Sequence, residues 1–88
     1  MIIKIYSYKN TLREKIWQGR SEDRVFFIRY RHPSLGVGYG RTLEESVVKH
    51  FKLKISVSEY QDITLKDLEA ILSKIFEEEV RIYENKNI

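Results

Sequence analysis

Residues Arg24–Gly40, RVFFIRYRHPSLGVGYG, decide how the chain folds. The first eight alternate in polarity and are rich in β-branched and aromatic side chains, the pattern of a strand with one buried face. With Phe26, Ile28 and Tyr30 directed into a core, Val25, Phe27, Arg29 and Arg31 fall on the opposite side. Pro33, the single proline, followed by Gly36 marks a tight connection, so Leu35–Gly40 is expected to return beside Arg24–Arg31 as the second strand of a hairpin. The glycines at 36, 38 and 40 suit a twisted or bulged strand. They do not form a dinucleotide-binding loop: that loop needs G-x-G-x-x-G, and Arg41 stands in the third glycine's place.

Outward from this hairpin, alternation predicts further strands over Ile2–Tyr8, Leu53–Ser58 and Val80–Tyr83. Three segments, beginning at Thr11, Thr42 and Thr64, each place a hydroxyl three residues before an acid (Glu14, Glu45 and Asp67). In that arrangement the two side chains can satisfy each other's backbone N–H groups at a helix start. After the third, Leu65, Leu68, Ile71, Leu72, Ile75 and Phe76 form a stripe of helical period. After the second, Leu43, Val47, Val48 and Phe51 predict a shorter helix over residues 43–52. The first is ambiguous. Leu12 and Ile16 with Gly19 suit a two-turn helix, while 12–18 also alternates as a strand; strand is preferred because so short a helix is marginal on its own. The expected fold is α+β: a small antiparallel β-sheet of three to five strands with two helices packed on one face and the other face open.

Eighty-eight residues suffice for a single domain, 1–88, with one core, and are too few for a deep enclosed active-site cavity. Zero cysteines exclude disulfides, thiolate metal sites and thiol catalysis. No apolar run reaches the ~18 residues of a membrane-spanning helix, and the opening MIIKIY is too soon charged for a signal peptide. A cytoplasmic protein without membrane contact is the expectation. Isoleucine occurs 11 times and alanine once, with ten Glu and nine Lys, a bias shared by AT-rich genomes and heat-adapted hosts. Charge is unevenly placed: residues 1–54 carry 12 Lys/Arg against 5 Asp/Glu, and residues 55–88 carry 4 against 8. The amino-terminal part is therefore where an anionic partner is sought.

On the first strand Ile3 and Ile5 are expected inside, leaving Lys4, Tyr6 and Tyr8 outside. On 12–18, Leu12 and Ile16 are expected inside, with Arg13, Lys15 and Trp17 outside. Together with Arg29, Arg31 and Arg41 these form the candidate binding set, aromatic rings interleaved with cations on one sheet surface. That pattern suits base stacking with phosphate contact. It suits equally a protein partner with an acidic patch, since Tyr, Trp and Arg dominate interface hot spots. The plain alternative is that the rings cap the rim of the core and the cations only solubilise. His32 and His50 stand in no ligand spacing with carboxylates, so no metal and no cofactor is expected. No serine sits in a nucleophile elbow and no acid pair stands out; no catalytic residue is assigned and the chain is read as a non-enzyme. Glu77, Glu78 and Glu79 read as a solvated run.

Tyr30–Ser46, YRHPSLGVGYGRTLEES, resembles the antitoxins of HicB type, in which a strand ending in Tyr and a Pro-x-Leu turn with Gly lead to a second strand and then to a Gly-x-Thr-x-Glu-Glu-Ala helix start. The matching positions are Tyr30, Pro33, Leu35, Gly36, Gly40, Thr42, Glu44 and Glu45, while Ser34 stands where the family has an acid. The resemblance implies a partial ribonuclease-H-like β-β-β-α unit without catalytic carboxylates. It also implies binding and neutralisation of an RNA-cleaving toxin, often as an oligomer, and a homodimer fits that expectation. The functional expectation is a small non-enzymatic regulatory protein that docks on and blocks a partner protein, a toxin or nuclease-like protein, in the manner of antitoxins or of inhibitors carried by mobile elements. The alternative is a module that binds RNA or DNA through a basic-aromatic sheet face, with affinity falling steeply as salt rises.

Overall fold

A computed structural model describes residues 1–49 and 53–84. Strands β1 (Ile2–Asn10), β2 (Lys15–Ser21), β3 (Arg24–Arg31), β4 (Ser34–Gly40), β5 (Leu53–Ser56) and β6 (Arg81–Glu84) form one sheet in the order β5-β4-β3-β2-β1-β6. Every pairing is antiparallel except that of β1 with β6, which is parallel. The remaining described elements are helix α1 (Leu65–Phe76) and a π-helical turn, Glu45–Lys49.

This corrects the expected α+β architecture of three to five antiparallel strands under two helices. The ambiguous segment supplies a full strand from Lys15, the parallel β6 makes the sheet mixed, and a single α-helix forms among the described residues. In place of the helix expected over 43–52 stands a five-residue π-helical turn, and His50 and Phe51 lie outside the described residues. The hairpin of β3 and β4 forms as expected, with Val25 opposite Gly40 and Arg31 opposite Ser34 around the turn at His32 and Pro33.

α1 starts where its sequence says. The Thr64 hydroxyl accepts the Asp67 N–H at 3.2 Å, and the Asp67 carboxylate accepts the Thr64 N–H at 2.9 Å, so two of the helix's orphan donors are satisfied. Leu68 and Leu72 of its apolar stripe are fully buried against Ile3, Ile5, Trp17, Phe26, Ile28 and Val37 of the sheet. Removing either leucine side chain would cost about 2–5 kcal/mol in lost transfer energy and cavity. The helix ends at Glu77, whose N–H still bonds the Ser73 carbonyl and whose left-handed backbone (φ 55°) turns the Glu78 N–H back onto the same carbonyl at 3.3 Å.

The crossover has a geometric demand. β5 and β6 are opposite edges of the sheet, separated by about 24 Å at ~4.8 Å per strand, whereas a 12-residue helix extends only about 18 Å. The connection before the helix covers the difference with Val57 and Ile63, both buried. At the far edge the Glu69 carboxylate accepts the Ile82 N–H at 2.8 Å, which ties β6 to the helix.

Gly36, Gly38 and Gly40 alternate with Leu35, Val37 and Tyr39 and so occupy the face of β4 away from α1. None of the four glycines has a positive φ, so freedom of backbone conformation is not what places them there. A Cβ on Gly38 would collide with the Ser46 carbonyl oxygen, and one on Gly40 would come within 2.7 Å of the Glu45 Cβ. Bare backbone at these positions lets the π-helical turn lie directly on the sheet. The second threonine box folds that turn: the Thr42 hydroxyl accepts the Glu45 N–H at 3.1 Å, and the Glu45 carboxylate accepts the Arg41 N–H at 2.8 Å.

Gly38→Ala is therefore expected to destabilise the protein by about 1–3 kcal/mol through overpacking. Gly36→Ala, whose Cβ would meet among the described residues only the Arg29 carbonyl oxygen at 3.8 Å, is expected to be neutral or to stabilise by up to about 1 kcal/mol through the unfolded chain. Denaturation midpoints of the two variants measure this, and equal effects would contradict the packing of the turn on β4.

Candidate functional site

The sheet has one face under α1 and one face turned away from it, and the candidate residues divide between them. On β1, Ile3 and Ile5 are buried and Lys4 is exposed on the outer face, as alternation predicts. The register then shifts: Ile5 opposes Gly19 but Ser7 opposes Gln18, leaving Tyr6 as an extra, half-buried residue. A one-residue bulge reverses the facing of everything beyond it. Tyr8 is accordingly opposite Trp17 on the helix side, its ring stacked on the indole at 5.4 Å and 24°. The expectation of an outward Tyr8 is corrected by that bulge.

β2 runs in the opposite phase to the one expected. Trp17 is 3% exposed and belongs to the core, while Ile16 faces outward, opposite Arg29. Leu12 sets no phase because it is not in the strand. It lies fully exposed in the β1–β2 turn, where the Thr11 hydroxyl accepts the N–H groups of Arg13 at 3.3 Å and Glu14 at 3.1 Å. The first threonine box thus organises a turn and not a helix. Between Ile16 and Trp17 the larger indole gains more from burial. Lys15 follows Trp17 to the helix side, half-buried, with Nζ 2.6 Å from Asp62. Arg13 and Arg41 are exposed at opposite ends of the sheet, in the β1–β2 turn and just after β4.

The outer face brings together Lys4, Arg29 and Arg31 of the expected set, along with Lys9, Arg20 and Phe27. Lys4 and Arg20 are directly opposite on adjacent strands, and the exposed Tyr83 flanks Lys4 from β6. Lys9, Ile16, Arg29 and Gly36 form the next outward row but one. Among the described residues Lys4, Lys9, Arg20 and Arg31 form no ion pair. Arg29 does: its Nε and Nη2 reach the Glu14 carboxylate at 2.6 and 3.3 Å. Arg20 was legible only with the correct phase, since counting outward from a buried Trp17 gives Ile16, Gln18 and Arg20.

A groove of about 530 Å³ opens on this face between β3, β4 and the π-helical turn. Phe27, Arg29 and Arg31 stand along one side, Gly36 and Gly38 form the floor, and Val47 closes the other side. His32 at its end is held by the Tyr30 hydroxyl, 3.0 Å from Nδ1. Burial pushes the Tyr30 hydroxyl pKa up, with the Asp62 charge adding to it. The hydrogen bond from Lys15 holds the Asp62 carboxyl below its ordinary pKa and, reciprocally, raises Lys15. Among the described residues no group of three or more His, Asp or Glu side chains could hold a metal ion, and no helix is long and apolar enough to cross a membrane.

The chain matches no family model, no curated protein and no solved structure.

Two measurements check these placements. Trp17→Ala is expected to cost about 3–5 kcal/mol of stability in chemical denaturation, as a buried aromatic does, against about 0.5 kcal/mol or less for a surface residue. For Asp62 the sign follows from its lowered pKa: the pair contributes stability above the ordinary carboxylate range and loses it as pH falls through the folded-state value. Asp62→Asn is therefore expected to lower stability slightly at neutral pH, with the difference from the parent protein vanishing in acid; a difference that grows toward acid would contradict it.

Proposed function

We propose that the chain is a non-enzymatic binding module that docks its outer sheet face on an acidic surface of a partner protein and blocks that partner. The observation that carries this reading is Lys4 facing Arg20 across β1 and β2, with neither paired to an acid among the described residues. Like charges directly opposite in a sheet are destabilising. Lys9 and Arg31 extend the same sign across the face, with Arg29 matched by Glu14, so the surface is arranged to meet negative charge. Complementary charge of this kind sets partner choice and association rate.

A protein partner is favoured over nucleic acid because the rings needed for base stacking are elsewhere. Trp17 is in the core and Tyr8 is stacked on it, which leaves Phe27 in the groove, Tyr83 at the β6 edge and the half-buried Tyr6 in the bulge. The resemblance of Tyr30–Ser46 to HicB-type antitoxins supports a toxin or nuclease-like partner. Those residues build the β3–β4 turn, β4 and the π-helical turn. A ribonuclease's substrate groove is itself cationic, so this face would grip such a partner on an acidic surface beside the groove.

The test is affinity capture from the native host with the parent protein, a Lys4→Glu/Arg31→Glu variant and a Lys66→Glu control on the exposed side of α1. One protein in stoichiometric amount is expected with the parent and the control, with capture by the double variant weakened by about tenfold or more. Lys4→Glu alone is expected to stabilise the fold by about 0.2–1 kcal/mol, because it gives Arg20 an opposite charge, and the denaturation midpoint of the double variant, expected close to the parent's, separates lost docking from unfolding. No stoichiometric protein, or capture indifferent to the reversal, would overturn the reading, and capture of nucleic acid in the protein's place would transfer the face to that class.

A further inference from the structure

We propose that the groove between β3, β4 and the π-helical turn binds a small molecule consisting of a planar aromatic ring that carries one anionic group, a phosphate or a carboxylate. The proposal stands apart from the docking reading and neither requires the other. Three observations carry it. The first is the floor. Among the described residues a side chain at Gly36 would meet only the Arg29 carbonyl oxygen at 3.8 Å, so the floor is bare peptide on which a flat ring can rest. Phe27, half-buried and opposite Gly38, and Val47 supply apolar walls. A volume of about 530 Å³ falls within the range of small-molecule sites, about 300–1,000 Å³.

The second is the placement of charge. Arg29 and Arg31 are two residues apart on the outward side of β3, opposite Gly36 and Ser34, about 7 Å apart along the strand. Arg29 is held in position by Glu14 through Nε and Nη2, which leaves the two N–H groups of Nη1 for another acceptor. Arg31 has no ion-pair partner among the described residues and so carries the larger share of the attraction. Planar guanidinium forks match both carboxylate and phosphate oxygens.

The third is the neutral polar rim. The Ser34 hydroxyl, in register with Arg31, makes no hydrogen bond within the described chain, and His32 uses Nδ1 on Tyr30, leaving Nε2 for a further contact. Glu14 is the acid ion-paired to a cation of the groove. It competes with a bound anion for Arg29, which gives the proposal a sign that a nonspecific basic patch would not have: removing the Glu14 charge should tighten binding.

The experiment is a titration of the full chain followed by amide chemical shifts, using adenosine 5′-monophosphate and indole-3-acetate as ring-plus-anion probes, with adenosine and inorganic phosphate as the two halves. Saturable shifts are expected at Phe27, Arg29, Arg31 and Gly36 with at least one of the ring-plus-anion probes, and which one saturates assigns phosphate or carboxylate. Adenosine and inorganic phosphate should each bind about tenfold or more weakly. Arg31→Ala and Gly36→Leu, the latter filling the floor, should each abolish the shifts while the core resonances of Leu68 and Leu72 stay in place, and Glu14→Gln should strengthen binding severalfold. No saturable shift with either ring-plus-anion probe, binding unaffected by both variants, or inorganic phosphate binding as well as the nucleotide would overturn the proposal.

Discussion

Burial of the Trp17 indole on the helix side of the sheet decides what every other strand can do with its side chains. Trp17 opposes Ile28, and Ile28 opposes Val37, so one row of three inward residues crosses the middle of the sheet. Since facing alternates with period two and cross-strand partners share a face, that row fixes the inward set on β2, β3 and β4. The outward set follows by exclusion: Ile16, Gln18 and Arg20; Val25, Phe27, Arg29 and Arg31; Gly36, Gly38 and Gly40. The cations gather on one side because the large apolar groups hold the other.

β1 obeys this arrangement only through its bulge. Without the extra residue at Tyr6, the alternation that buries Ile3 and Ile5 would send Tyr8 outward. With it, Tyr8 comes round to cover Trp17 at the edge of the core. The glycines of β4 make the complementary provision on the outer face. They remove side chains where the π-helical turn must lie and leave an open strip at Gly36, so one row of absent Cβ atoms both seats the turn and floors the groove. Fold and candidate site are thus two consequences of the same alternation.

Where the sequence was informative, local physics and tertiary packing agree. The capping box at Thr64 and the leucine stripe behind it specify α1 without outside help, and Phe26, Ile28 and Tyr30 give β3 its phase because the opposing series, Val25 and Phe27, ends in Arg29 and Arg31. Where it misled, a local signal met a tertiary constraint. Leu12 and Ile16 look like an inward pair, but Leu12 belongs to a hydroxyl-organised turn and Trp17 has the stronger claim on the core. The bulge at Tyr6 has no signature in the residues around it. Leu43 and Val47 have helical spacing, yet spacing does not say which face of a sheet a segment will meet, and glycines that read as twist are there for close approach. Of the candidate set, Lys4, Arg29 and Arg31 were legible, whereas Trp17, Tyr8 and Lys15 went to the helix side and Arg20 was missed with the phase of β2.

The assignment of the two faces can be tested most directly by the single tryptophan. Quenching of its fluorescence by acrylamide should be strongly suppressed in the native protein and rise to that of a free indole on unfolding, because Trp17 is buried in the core and flanked by Tyr8. Native quenching as efficient as in the unfolded chain would put Trp17 in solvent, reverse the phase of β2, and remove the basis for a cationic outer face that includes Arg20.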